Sequence, residues 1–220
     1  MKALLPEQYI AGSVNFFGHD FFVTPDVLIP RPETELLVEE VIGLSGAISS
    51  ERPLHILDLG TGSGNIAISL QNEIKGCKIS ASDISGRALD VAKRNAGLHG
   101  VAERIEFIES DIFKNIEDSF DIIVSNPPYI AMEEFADLAP EVLAEPRLAL
   151  DGGIGGIDSL KAIIAEAPRY LETGGFLLLE IGYGQCDAVR GLINLSGLEL
   201  LKVRKDYAGI DRIMVAKKNG

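Results

Sequence analysis

From Leu54 onward the chain alternates short β-rich apolar runs with stretches of helical periodicity, and that alternation limits its fold more than any other feature. Leu54 to Leu59 reads as a strand that ends in the turn Gly60-Thr61-Gly62-Ser63-Gly64, followed by a helical stretch through Leu70. Lys78 to Ser82 reads as a second strand and Ser85 to Leu98 as a second helix. Ile105 to Ile108 and Phe120 to Val124 read as the third and fourth strands. Ile157 to Leu171 has apolar residues at helical spacing (Ile157, Leu160, Ile163, Ile164, Ala167), and Phe176 to Ile181 is a fifth strand. Leu198 to Val203 and Ile213 to Ala216 bring the count to seven. Strands separated by helices run parallel, so the spacing predicts a mostly parallel, doubly wound α/β sheet. The last two strands are joined by a short connection, which predicts an antiparallel strand at that edge.

The segment before this pattern has a different character. Val14 to Phe17 and Phe21 to Thr24 read as two short aromatic strands around the turn Gly18-His19-Asp20. Four Phe in seven residues must pack against the main domain or a partner. Leu28-Ile29-Pro30-Arg31-Pro32 is stiffened by two prolines. Glu33 to Val41 then reads as an amphipathic helix with acids in its first turn, Glu39 and Glu40 lying on a solvated face.

Composition excludes several function classes. Thirty-three acidic residues against 20 basic ones leave a net charge of −13. A protein that grips a nucleic-acid backbone needs a basic surface, and one that sits on an anionic membrane needs the same. No apolar run approaches the ~20 residues that span a bilayer, and the start MKALLPEQYIAG is too weakly apolar for a secretory signal. Cys77 and Cys186 form no CxxC, and His19, His55 and His99 are scattered. The expectation is a cytoplasmic protein with reduced thiols and no metal.

The turn Asp58-Leu59-Gly60-Thr61-Gly62-Ser63-Gly64 follows a strand and opens a helix, the context in which glycines admit a ligand close to the backbone. Asp83 ends the next strand 23 residues after Gly60 (83 − 60), near the ~20 expected of an acid that holds ribose hydroxyls. This spacing serves a dinucleotide and an adenosyl ligand alike, and a tight structural turn is the simpler alternative. The pattern is GxGxG rather than GxGxxG, which leans to S-adenosylmethionine. Asp58 is either a structural cap or an electrostatic partner for that ligand's amino group. Asp111 and Ile112 follow the third strand, where an adenine could lie; an acid that caps a loop is the plain alternative.

Ser125-Asn126-Pro127-Pro128-Tyr129 stands at the carboxyl end of the fourth strand, where open α/β sheets collect ligands. Two prolines fix the direction of the Pro127 carbonyl, Asn126 adds a side-chain acceptor, and Tyr129 supplies a flat face. Two acceptors and a ring suit a planar –NH2 group. Held by both hydrogens, such a nitrogen can present its lone pair to an electrophilic methyl without a general base. A rigid Pro-Pro turn is the plain alternative.

Several segments together resemble one family. LIPRPETE, DLGTGSG, SDIS followed by AL and AxxN, SNPPYI, EPRLALDGG and KDYAGIDR are similar to the protein-(glutamine N5) methyltransferases that modify peptide chain release factors. NPPY alone is shared with nucleic-acid adenine methyltransferases; PRPETE and EPRLALDGG make the match specific. The resemblance runs from about Tyr9 to Ala216. It implies a class I S-adenosylmethionine-dependent methyltransferase, Rossmann-like, with a β-hairpin linker region over residues 1–30 and a catalytic domain over 31–220. It also implies methyl transfer to the glutamine of the Gly-Gly-Gln motif in class 1 peptide chain release factors, with S-adenosyl-L-homocysteine as the product.

By this resemblance Gly60, Thr61, Gly62, Ser63 and Gly64 wrap the methionine part of the cofactor and Asp83 holds the ribose. Asp111 and Ile112 flank the adenine, although Trp or Phe is more usual where Ile112 stands. Asn126, Pro127, Pro128 and Tyr129 bind the substrate glutamine, with Asn126 also near the cofactor. Pro30 to Glu35 form a partial lid, and Glu145 to Gly153 a loop that closes on the site. Family members usually carry a helical domain before the hairpin, whereas this chain begins almost at the hairpin.

Two other readings remain. An amino methyltransferase acting on an adenine or guanine of nucleic acid would share the acceptor logic, but −13 speaks against stable nucleic-acid binding. A silent binding module on the same scaffold is permitted by the fold, but the intact glycine turn and Asn-Pro-Pro-Tyr speak against it. Arg31 and Arg147 either orient an acidic stretch of the partner or form ordinary surface ion pairs.

Overall fold

Seven strands form one sheet in the computed structural model, which describes residues 5–46, 48 and 52–220; the first four residues of the expected N-terminal region lie outside them. A short helix α1 (Glu7–Ala11) precedes a hairpin of β1 (Ser13–Phe16) and β2 (His19–Phe22), and α2 (Pro32–Ser45) follows. The alternating part runs β3 (His55–Leu59), α3 (Asn65–Glu73), β4 (Lys78–Asp83), α4 (Gly86–Leu98), β5 (Ile105–Glu109) and β6 (Phe120–Ser125). After two one-turn helices, α5 (Pro140–Leu143) and α6 (Arg147–Leu150), come α7 (Asp158–Tyr170), β7 (Leu171–Glu180), α8 (Cys186–Ser196), β8 (Leu198–Lys205) and β9 (Asp211–Lys218). No helix of the described residues is long and apolar enough to cross a membrane.

The sheet order is β5-β4-β3-β6-β7-β9-β8, with β3 to β7 all parallel. The expected antiparallel strand is the last one: β9 runs antiparallel to β7 and β8 and lies between them. Helices cover both faces, which is why β3 and β6 are buried along their whole length. Alternate residues feed two cores. Ile56, Ile122 and Leu178 face α2 and α3, while Leu57, Ile123 and Leu177 face α7 and α8.

Three features differ from the expectation. The hairpin turn is Phe17-Gly18 rather than Gly18-His19-Asp20. Asn15 pairs with Asp20 and Phe16 with His19, and both turn residues have positive φ (52° and 75°), the two-residue turn whose twist matches the strands. Phe17 tolerates that conformation where its N–H donates to Glu35 Oε1 at 2.8 Å, from the first turn of α2. Helix α8 is not among the expected elements; it buries only Val189 and Ile193 and carries Gly191, a poor helix former, at its middle. Glu39 and Glu40 are not simply solvated: they pair with Arg204 and Lys202 of β8.

The hairpin phenylalanines pack on the main domain. Phe16 and Phe21 are fully buried in the core beneath α2, and Phe21 stacks on His99 of the α4 C-cap with ring centroids 4.8 Å apart. Arg94 lies over the ring of Phe22. Phe21→Ala is therefore expected to lower stability by about 3–5 kcal/mol in denaturant unfolding, as a large buried ring does. A hairpin held only at its ends would show a loss below about 1 kcal/mol.

Candidate active site

The chain crosses between β3 and β6, and the crevice at their carboxyl ends is where this sheet order opens a site. The residue after β3 starts the glycine turn, and the residue after β6 is Asn126. Ser125 Oγ donates to the Leu59 carbonyl at 2.6 Å, locking the two ends together. A cavity of about 270 Å³ lies here. Gly60, Thr61, Gly62 and Ser63 line one side, Asp83, Asp111 and Ile112 another, and Asn126, Pro127 and Pro128 a third. Pro30, Arg31 and Thr34, from the segment expected to form a partial lid, also line it.

Gly64 does not line the cavity. A Cβ there would stand 3.0 Å from Ile68 Cδ1 and 3.2 Å from Ala92 Cβ, and its φ is +81°. It serves the close packing of α3 on α4. Asn95 of α4 ties this turn to the hairpin: its Nδ2 donates to the Ser63 and Phe22 carbonyls, and its Oδ1 accepts from Phe22 N–H.

Asp83 accepts from Gly62 N–H and Ser85 N–H at 2.9 Å each. A carboxylate has about four lone-pair sites, so capacity remains for hydroxyls in the cavity. Burial raises its pKa against the pull of the backbone N–H groups. Ile112 adopts φ +50°, rare for a β-branched residue, and its carbonyl accepts from Ser110 Oγ. That conformation sets its aliphatic face into the cavity wall.

Asp58 is fully buried and does not line the cavity. Its Oδ2 accepts from Thr61 Oγ1 at 2.6 Å and from Ala67 N–H at 3.1 Å, which is the cap reading; Oδ1 has no partner. This carboxylate occupies the N-terminal turn of α3, the place where a pyrophosphate would bind. Four acids, Asp26, Asp83, Asp111 and Asp151, line the cavity with one cation, Arg31. Such a donor set fits a cationic adenosyl ligand with free hydroxyls, and S-adenosylmethionine is one; it repels a dinucleotide.

Tyr129 stands apart from that cavity and lines a second one of about 220 Å³ with Ile130, Leu138 and Val142. Asn126 and Pro127 belong to both, and so do Leu28, Arg31 and Ala149. Tyr129 Oη donates to Glu180 Oε1 at 3.2 Å, and burial together with that carboxylate raises its pKa. Gln185 Nε2 donates to the carbonyls of Tyr129 and Gly156, at 2.9 and 3.0 Å, while its Oε1 accepts from Gly182 N–H. A Cβ on Gly156 would stand 2.3 Å from the Tyr129 carbonyl oxygen, so this approach requires glycine.

The expected closing loop is built into the same wall. Ile130 N–H donates to the Leu150 carbonyl and Gly152 N–H to the Ile130 carbonyl. Buried Glu145 accepts from Arg31 and, at 3.0 Å, from Ile29 N–H, which joins the PRPETE and EPRLALDGG segments. Arg147 pairs with Asp151 at 3.0 Å, so both arginines form ion pairs within the chain. Thr34, Asn95, Glu180 and Gln185 carry much of this wiring, and none stood out in the sequence by its own chemistry. Glu180 had the one available signal, an acid closing the apolar strand Phe-Leu-Leu-Leu-Glu.

The buried acids give stability a pH dependence. Burial pushes Asp58 up to about 7, against its two hydrogen bonds, from an ordinary 3.8. Between those values the folded state keeps a proton that the unfolded state releases, so stability falls as pH rises through that window. Asp58→Asn removes this titration. Its urea stability relative to wild type should shift in the variant's favour by about 2–3 kcal/mol from pH 5 to pH 8, at ~1.4 kcal/mol per pKa unit. A pH-independent difference would show that Asp58 keeps an ordinary pKa.

A family model for the methyltransferase small domain matches residues 34–157. The chain is 45% identical over 216 residues to the release factor glutamine methyltransferase of Chlorobaculum tepidum, covering 94% of this chain and 72% of that one. It is 46% identical over 213 residues to the protein of the same name from Cereibacter sphaeroides, covering 96% and 74%. The structure of the T. thermophilus 16S rRNA N2 G1207 methyltransferase, solved with AdoMet and guanosine, shares the fold. Its TM-score is 0.66 at 19% identity, over 94% of this chain and 50% of that one. The glycine turn, the acid-lined cavity and the Asn-Pro-Pro-Tyr wall thus sit on a class I S-adenosylmethionine-dependent scaffold, and the chain belongs to the release factor glutamine methyltransferase family.

Proposed function

We propose that this protein methylates the side-chain amide nitrogen, N5, of the glutamine in the Gly-Gly-Gln motif of class 1 peptide chain release factors, in the cytoplasm. The observation that carries the reading is the wall shared by two cavities. Asn126 and Pro127 line both the acid-rich cavity of the glycine turn and the second cavity beside Tyr129. A cofactor on one side and a glutamine side chain on the other would meet at that wall. The relatives named for this activity, and the −13 charge that disfavours a polyanionic substrate, support the same choice.

The residues divide the work between holding and polarising. Gly60, Thr61, Gly62 and Ser63 bind the methionine part of the cofactor, Asp83 its ribose, and Asp111 and Ile112 its adenine. When bound, S-adenosylmethionine supplies an electrophilic methyl group on a sulfonium. Asn126 Oδ1 and the Pro127 carbonyl accept the two N–H bonds of the glutamine amide, which fixes its plane and favours the positive charge that would grow on nitrogen as the N–CH3 bond formed and the sulfonium's S–CH3 bond broke; one of those two protons would then leave past the accepting oxygen to water, giving the neutral methylamide. Pro128 keeps the carbonyl direction rigid, and the Tyr129 ring lies along the amide. Leu138, Val142 and Ile130 give that pocket an apolar lining.

The test is transfer of a labelled methyl group to a release factor. Label is expected on wild-type release factor and not on its Gln→Ala variant; equal label on both, or none on either, overturns the reading. Asn126→Ala should lower the transfer rate by at least ~100-fold with cofactor affinity within a few-fold of wild type, since removal of one such polar contact costs ~100- to 1,000-fold. Tight DNA or RNA binding that weakens steeply with salt would instead favour a nucleic-acid amine as the acceptor.

A further inference from the structure

The amide of Asn126 can face its acceptor site in two ways, and only one is useful. With Oδ1 toward the substrate it accepts an N–H; turned over, it presents N–H bonds to an amide –NH2 that is itself a donor. Two residues from elsewhere in the chain, Thr34 and Glu180, decide between them, and Glu180 also holds Tyr129. Asn126 Nδ2 donates to Thr34 Oγ1 at 3.0 Å, Thr34 Oγ1 donates to Glu180 Oε2 at 2.7 Å, and Tyr129 Oη donates to Glu180 Oε1 at 3.2 Å. Thr34 lies in the first turn of α2, and Glu180 closes β7 one place beyond the pair Ser125–Leu179. Both are almost wholly buried.

The direction of this chain follows from donor counting. An ionised carboxylate only accepts, and a threonine hydroxyl has one hydrogen. Once that hydrogen goes to Glu180, Thr34 can only accept from Asn126, so the –NH2 of the amide must turn to Thr34 and Oδ1 to the opposite side. The same carboxylate takes the Tyr129 hydroxyl and thereby sets the ring. We propose that Thr34 and Glu180 are positioning residues for methyl transfer, which hold the Asn126 amide oxygen and the Tyr129 ring toward the acceptor through one buried hydrogen-bonded chain. This rests on the acceptor role given to Asn126 above.

The environment of Glu180 agrees with that role. Burial pushes its carboxyl up to about 7, and Glu33 adds to the rise. The hydrogen bonds from Thr34 and Tyr129, with the Arg212 charge, hold it down. Thus the two hydroxyls that Glu180 orients also favour its charged form, and the carboxyl is the pure acceptor of the chain at pH values above about 7. Neither Thr34 nor Glu180 is needed for shape alone, since an apolar pair of similar volume would fill the same space without a buried charge.

Thr34→Val keeps the branched shape and removes the hydroxyl; Thr34→Ser keeps the hydroxyl. Single-turnover transfer to a release factor is measured at pH 8 with both substrates saturating, beside cofactor affinity by calorimetry and melting temperature. Thr34→Val should transfer 10- to 100-fold more slowly with cofactor Kd within threefold of wild type, and Thr34→Ser should stay within threefold in both. Glu180→Leu removes both acceptors, frees the threonine hydrogen and should also slow transfer at least tenfold, which serves if the valine variant does not fold. Side-chain amide NMR adds a readout independent of turnover. The Asn126 –NH2 protons should exchange slowly in wild type and at least tenfold faster in Thr34→Val. A wild-type rate in Thr34→Val, or a loss that follows cofactor affinity alone, overturns the proposal. If the wild type methylates no release factor, the functional reading falls, and the Asn126 exchange result decides whether the amide is held.

Discussion

The parallel pairing of β3 with β6 is the constraint on which the site depends. Two strands and two helices separate them in the chain, yet Leu59 lies opposite Ser125 and the Ser125 hydroxyl donates to the Leu59 carbonyl. That register brings the glycine turn and Asn126 to the same end of neighbouring strands. Because β4 and β5 build outward from one side and β7 to β9 from the other, the connections diverge there and leave a crevice. Every other part of the site is arranged around this opening: α2 covers it, Asn95 braces one side, and the loop from Glu145 to Gly156 forms the far wall.

A second theme is how the protein handles buried negative charge. Asp58, Asp83 and Glu180 are all buried or nearly so, and burial raises the pKa of each. Their hydrogen-bond partners are backbone N–H groups and hydroxyls rather than the lysine or arginine of an ion pair. Each thus organises local structure through direction: Asp58 caps α3, Asp83 links two turns, and Glu180 orders two side chains of the Asn-Pro-Pro-Tyr segment. Hydrogen bonds to charged groups are the stronger kind, and in a poorly solvated site they leave little freedom to the groups they hold. The acids in the cavity wall add an electrostatic preference for a cationic ligand.

Much of this was legible in the sequence because it rests on local signals. The strand–helix alternation, the glycine turn, Asp83 and the Asn-Pro-Pro-Tyr segment each carry their own periodicity or spacing, and the structure brings them together at one crevice. What was not legible depends on partners far apart in the chain. Thr34 meets Glu180 across 146 positions and Asn126 across 92, and no local pattern marks such pairs. Gly64 looked like part of the ligand loop, because helix packing and ligand approach both ask for glycine in the same turn. The hairpin register turned on the positive φ of Phe17, which depends on a hydrogen bond from its N–H to Glu35 rather than on the residue's own preference.

The central claim is that two cavities meet at one wall and that Asn126 and Pro127 present acceptors there. A crystal structure with S-adenosylhomocysteine and a Gly-Gly-Gln peptide tests it most directly. The account predicts the glutamine amide nitrogen within hydrogen-bond distance of both Asn126 Oδ1 and the Pro127 carbonyl, with the cofactor sulfur in the adjoining cavity facing that nitrogen. A glutamine bound elsewhere, or an Asn126 amide turned with its nitrogen to the substrate, would contradict it.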